Sequence, residues 1–414
     1  MPQLSLAAAV DAPDATRLVV TLRKGAVFSD GSAVTATDVV TSFQQAKKSA
    51  NYANLLTNLR SATADEKQRQ VTFTLVAADV NALGSLTFPV VKASTLTDKA
   101  GAAPLGGGPY VYKKTDSGAK LTANPHYTDK PHFETVQLRH LPNSTAMYYA
   151  LSSGDLAYSF DDLDSGESPQ GSGANTPVEM NALVYLGVNS SRGKLGQPAV
   201  RQALSLLMDR PAILSTAYAG RGLISCLPFH PHWTPMRQVE SPAVSRNLDG
   251  AMKLLDEAGC KPATNGKRLE LELLYCTDRV DRGRAAELIR TQLEGGGVEV
   301  TLVPLEREEF LKRLSKGKFD LYLGESRLTA DMSLRPLLAG GKAAYGIQRW
   351  GATAMNYTKY LAGELPLDDF MEAFGADMPY IPLCWRSGFA AYDRRLTTVT
   401  PVGYDPYYGL ADWK

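Results

Sequence analysis

Two early segments of the chain alternate apolar and polar positions. RLVVTLR at 17–23 and QVTFTLV at 70–76 set an apolar side chain on every second residue, the period of a half-buried strand. Lys24-Gly25 closes the first. PLGGGPYVYKK breaks the pattern and re-enters a strand at Tyr110, while MYYALSSGDLAYSF (147–160) predicts a short helix, a Gly-Asp turn and a strand. DSGESPQGSGANTP (164–177) is rich in Ser, Gly and Pro and predicts an exposed loop. LVYLGVN (183–189) is an apolar strand.

Beyond residue 197 the period lengthens. QPAVRQALSLLMDR (197–210) predicts a helix with Pro198 in its first turn, and 247–259 a second helix ended by Gly259. There follow a strand at 268–276, a helix at 283–294, a triple-glycine stop at 295–297 and a strand at 298–305. A helix at 306–317 and a strand at 319–324 complete the series. This alternation predicts a parallel, right-handed α/β sheet, whose ligands sit beyond the carboxyl ends of the strands. Asp278 follows the first of those strands; Glu325 and Arg327 follow the last. PYIPLCWRSGFAAYD (379–393) predicts strand, turn at 386–388, strand, with Trp385 and Arg386 as candidate ligand contacts at the turn.

At 414 residues the chain has room for two or three packed domains. Lys+Arg 44 against Asp+Glu 43 leaves a net charge of +1, which argues against a nucleic-acid or anionic-membrane surface as the main partner. No apolar run approaches the ~20 residues of a membrane helix. The start, MPQLSLAAAVDAPDA, has no basic region before its apolar patch and does not read as a signal peptide. Cys226, Cys260, Cys276 and Cys384 form no CxxC pair and are expected as buried small hydrophobes.

The candidate chemistry is sparse. No GxSxG elbow is present, and LGGGPY leads into a strand without the Lys-Ser/Thr of a phosphate-binding loop. In CLPFHPHW, His230 and His232 lie two apart and face one side of an extended segment, with Cys226 nearby, which makes them metal candidates; packing of the loop is the competing reading. FSDGSAVTATDVVTSF (28–43) carries two acids, yet Asp30 sits in a Ser-Asp-Gly turn. Asp38 completes the T-x-x-D spacing of a helix start, so both are expected to be structural.

In chain order these stretches resemble family 5 solute-binding proteins, the receptors of ABC peptide and nickel importers. FSDGSAVTATDVVTSF resembles the family's F-x-D-G-x-x-x-T-A-x-D-V-x-x-S-F signature, and Gly108-Pro109-Tyr110 with LTANPHYTDK its G-P-Y … N-P-x-Y segment. ALSSGDLAYSF resembles L-x-x-G-x-x-D, with Ala157 in place of the second acid. VRQALSLLMDRPAIL resembles V-R-Q-A-L-x-x-x-x-D-R-x-x-I, and YIPLCWRSGFAAY the late I-P-L-Y strand.

The resemblance implies an α/β, two-lobed, periplasmic-binding-protein-like (type II) fold with a subdomain appended to lobe one. Lobe one would hold 1–191 and 383–414, with about 20–104 as the subdomain, and lobe two 192–382. It implies a monomeric, non-catalytic receptor without cofactor. Such a receptor would lie outside the cytoplasm, in the periplasm or lipid-anchored, and deliver a small polar solute or peptide to an ABC permease. Against the family the chain reads as shortened at its N-terminus. Family peptide binders carry an acid, after the strand matching FDLYLG, that meets the peptide's amino terminus; Glu325 and Asp331 are the candidates here, while Arg327 suits an anion. Asp278, Trp385 and Arg386 complete the expected ligand contacts. A nickel or other metal-complex receptor using His230 and His232, and a carboxylate-dependent hydrolase, are the alternatives.

Overall fold

The computed structural model describes residues 5–96, 103–116, 118–163, 174–240, 245–338, 341–347, 351–403 and 405–414. The chain begins with β1 (Ala7–Asp14), β2 (Arg17–Leu22), α1 (Ala36–Ala46), β3 (Leu59–Asp65) and β4 (Gln70–Leu75). Next come β5 (Tyr110–Thr115), β6 (Gly118–Ala123), β7 (Thr135–Arg139), α2 (Ser144–Ser153), β8 (Tyr158–Asp161) and β9 (Ala174–Val188). The middle holds α3 (Pro198–Leu206), α4 (Arg210–Ala217), β10 (Gly222–Ile224), α5 (Leu248–Glu257), β11 (Leu269–Cys276), α6 (Val280–Glu294) and β12 (Val298–Leu305). It ends with α7 (Arg307–Ser315), β13 (Leu321–Arg327), α8 (Ala352–Leu361), α9 (Leu367–Asp377) and β14 (Tyr380–Tyr392). None of the described helices is long and apolar enough to cross a membrane.

The first unit has its own core. Its antiparallel sheet runs β1-β2-β4-β3, and the inward residues of β2 and β4 are the alternate apolar ones seen in the sequence. α1 packs on that face, where Phe43, Phe73 and Phe88 meet with ring centroids 5.5 to 6.2 Å apart. Thr35 and Asp38 form a reciprocal cap. The Thr35 hydroxyl accepts the Asp38 amide at 3.1 Å, and the Asp38 carboxylate accepts the Thr35 amide at 3.0 Å. Asp30 accepts the Ser32 amide at 3.0 Å and pairs with Lys92 at 2.6 Å, contacts that hold its carboxyl well below the usual range. Gly31 has φ +81°, and a Cβ there would stand 3.1 Å from the His126 ring, so the turn rests against the N-P-H-Y segment. Both acids make the turn and cap contacts expected of them.

The largest sheet runs β10-β14-β9-β13-β11-β12, with β8 on the far part of β14. β13, β11 and β12 are parallel, as the β-α-β-α-β pattern predicts. β9 and β14 are long antiparallel partners, Tyr380 opposite Gly187 and Tyr392 opposite Ala174. The first half of β9 and second half of β14 pair near β8; their other halves pair beside β13 and β10. A main core surrounds them, separate from that of the first unit.

Three expectations are corrected. The turn at 386–388 is the middle of one continuous strand. Arg386 pairs with Ala182 and Ser387 with Glu179, so β14 runs on without a reversal while the extra residues, Met180 and Asn181, bulge from β9. The last parallel strand starts later and runs to Arg327, so Glu325 and Arg327 lie within β13, because β9 goes on offering partners at Val184 and Ala182. The helix expected over 197–210 ends at Leu206 and another begins at Arg210, since Asp209 caps a new start by accepting the Ala212 amide at 2.9 Å and Pro211 lacks a donor. The Ser/Gly/Pro-rich loop falls mostly outside the described residues; its last four, 174–177, open β9. β1 lacked any apolar alternation to announce it and is an exposed edge strand.

Candidate functional site

At the carboxyl end of β13 the chain gathers opposite charges in a buried position. Arg386 on β14 donates from Nε and Nη2 to the two oxygens of Glu325, each at 3.0 Å. Its Nη1 donates to the Asp162 carbonyl at 2.8 Å, just past β8. Arg279, which precedes α6, donates to Glu325 at 3.2 Å and clasps Asp281 through Nε and Nη2. The four side chains are 3% to 12% exposed. Burial would raise the Glu325 pKa, but the Arg386 and Arg279 charges outweigh it and hold the carboxyl below its usual 4.5. Each guanidinium at such range attracts by about 4 kcal/mol at an effective dielectric near 20.

The neighbouring candidates are also paired. Arg327 is half exposed and bonds Asp162 at 2.7 Å. Asp278, in the loop after β11, is held by Arg282 at 2.8 Å and Arg307 at 3.4 Å. The sequence placed Asp278, Glu325 and Arg327 beyond strand ends and Arg386 at a turn, and the fold brings Glu325, Arg327 and Arg386 together. It missed Asp162, Arg279 and Asp281, though Arg279 adjoins Asp278; nothing local marks their partnership.

Asp331 belongs to a different setting. It is 7% exposed, and no lysine or arginine pairs with it among the described residues. Thr329 donates to its Oδ1, and Ser85 Oγ lies 3.5 Å from its Oδ2. Burial, reinforced by the Asp79 charge, pushes its pKa up. The segment carrying Ser85 extends from the first unit and docks here. Asp79 pairs with Arg335 at 3.0 Å, the Val80 amide donates to the Leu361 carbonyl at 2.9 Å, and Asn81 donates to the Tyr360 hydroxyl at 3.2 Å. Gly84 lies so close that a Cβ would stand 2.5 Å from that of Asp331.

Trp385 is 1% exposed, in the main core rather than at a turn. Its ring meets the His230 ring edge-to-face at 5.1 Å, and its buried indole N–H has no hydrogen-bond partner among the described residues. His230 and His232 do face one another, ring centroids 5.7 Å apart, as their two-residue spacing requires. The third group beside them is Glu179 of β9 rather than Cys226. No disulfide joins the four cysteines, three of which are buried, and burial lifts Cys384 to about 12.

Comparison with known proteins agrees with this architecture. The family model described as bacterial extracellular solute-binding proteins, family 5 Middle, matches residues 2–337. The oligopeptide-binding protein AppA of Bacillus subtilis is 25% identical over 332 residues, 73% of this chain and 60% of its own. Protein XP55 of Streptomyces lividans is 29% identical over 329 residues, 72% of this chain and 58% of its own. The chain thus spans about three fifths of the length of these relatives. NikA from Brucella suis, solved in complex with Fe(III)-EDTA, superposes with a TM-score of 0.81 at 18% identity, covering 99% of this chain and 90% of that one. The fold is therefore the two-lobed type II periplasmic-binding-protein fold, and the chain belongs to the family 5 bacterial extracellular solute-binding proteins.

Proposed function

We propose that the chain is the solute-binding receptor of an ABC importer, outside the cytoplasm, and that its solute carries a protonated amine held by Asp331. The carrying observation is the buried Asp331 carboxylate with raised pKa and no cation partner among the described residues. A carboxylate kept dry without a counter-charge is costly, and a ligand ammonium supplies the charge it lacks. The guanidiniums of the Arg386 cluster already have carboxylates, so an anionic solute finds less to meet there. Short peptides with a free amino terminus satisfy this chemistry, and AppA, a relative, is named for oligopeptide binding.

The lobes are read as 1–191 with 383–414 and as 192–382, joined where β9 and β14 cross between them. Contacts from 79–85 to 331–361 would then be those of a closed cleft. A thermal-shift screen of di- to pentapeptides, amino acids and amines on the full chain tests the reading. Stabilisation of several degrees by amine-bearing members is expected. Stabilisation only by solutes without an amine would overturn it.

A further inference from the structure

We propose that Glu179, His230 and His232 form a site for a single divalent ion of the zinc or nickel class, held directly by the protein. The site is independent of the amine-solute reading. One donor atom from each residue lies within 4.8 Å of the other two. The groups come from β9 and from the loop after β10, brought over β14 by the strand order β10-β14-β9. Glu179 stands at the bulge, opposite Ser387.

Two imidazoles and one carboxylate are a donor set for borderline divalent metals, not for magnesium or calcium, which prefer all-oxygen shells. His230 is 5% exposed and packed edge-to-face against Trp385, which holds its ring in place beside the other two donors. His232 Nδ1 lies 2.8 and 2.9 Å from the two Glu179 oxygens. Donors around one ion, with bonds of about 2.0–2.2 Å, stand about 3 to 3.5 Å apart. His232 and Glu179 are exposed and free to close that gap, while the buried His230 is the fixed point. One existing bond opposes the ion: the His232 amide donates to His230 Nδ1 at 3.2 Å, which places the ring proton on Nε2. Binding at Nε2 moves that proton to Nδ1, and binding at Nδ1 displaces the amide directly, so either mode gives up the His232 amide bond.

The test is calorimetry of the chelator-stripped full chain with zinc, nickel and magnesium chlorides, beside Glu179→Gln and His232→Asn. Both variants change exposed side chains, and circular dichroism checks their folding. One zinc per chain is expected, with affinity falling about tenfold or more in each variant and magnesium failing to compete. Cobalt(II) should give a visible spectrum without a thiolate charge-transfer band. No zinc binding, unchanged affinity in both variants, or a thiolate band assigning the metal to a cysteine would each overturn the site.

Discussion

Arg386 and Glu325 face each other across the largest sheet with two parallel hydrogen bonds of 3.0 Å, and the same carboxylate is shared with Arg279. Removing one partner strands a buried charge. Arg386→Leu is expected to cost about 3–5 kcal/mol in urea unfolding, whereas replacing both partners with packed apolar residues should cost much less. Because the folded pKa of Glu325 is depressed, its stabilisation is fully present above about pH 4.5 and is lost as pH falls through the lower folded value. The stability gap between native protein and Glu325→Gln should narrow in that acid window. A gap constant from pH 7 to pH 3 would contradict the pairing.

Asp331 has the opposite sign. Its folded pKa is raised from 3.8, so the unliganded protein loses stability as pH rises through the folded value. Asp331→Asn should leave the unliganded protein at least as stable at pH 7. It should weaken an amine-bearing solute about 30-fold or more, the scale of a lost buried charge pair. Native affinity should fall as the pH is lowered through the Asp331 pKa. Calorimetry between pH 4 and pH 8 measures both effects.

Gly84 is placed by its closeness to Asp331, where a Cβ would come within 2.5 Å of the Asp331 Cβ and 3.0 Å of its Cα. Gly84→Ala should push residues 79–86 away from the 331–361 surface. Hydrogen exchange at the Val80 amide, bonded to Leu361, should quicken, and solute affinity should drop while the core around Phe43 and Phe73 stays protected. Unchanged exchange and affinity would show that the two surfaces do not depend on one another.

The signature stretch should behave as structure only. Thr35→Ala removes a reciprocal helix cap and is expected to cost about 1 kcal/mol of unfolding free energy without altering solute affinity. An affinity loss larger than the stability loss would return Asp38 or Asp30 to the list of functional acids.

Local rules made much of this fold legible. Alternation marked β2 and β4, the T-x-x-D cap marked the start of α1, and strand–helix alternation marked the parallel unit. The same rules misjudged Arg386–Gly388, because a polar, glycine-containing triplet looks the same in a turn and inside a strand; only the pairing with β9 separates them. Asp278, Glu325 and Arg327 were found by asking where strands end, and Arg386 through an expected turn that is part of β14. Their pairing was not, since Glu325 and Arg386 are 61 residues apart and Glu325 and Arg279 46 apart. Asp331 was named through resemblance; its lack of a counter-charge among the described residues and its cover by Gly84 and Ser85 came only from tertiary packing.

The most direct test compares a short peptide that stabilises the protein with its N-acetylated form, titrated calorimetrically at pH 7 into the native chain and into Asp331→Asn. Acetylation removes the ammonium charge and leaves the rest of the peptide nearly intact. The Asp331 assignment predicts that acetylation and Asp331→Asn each weaken binding strongly, and that the variant no longer distinguishes the two peptides. Equal affinity of the native chain for both forms would contradict it.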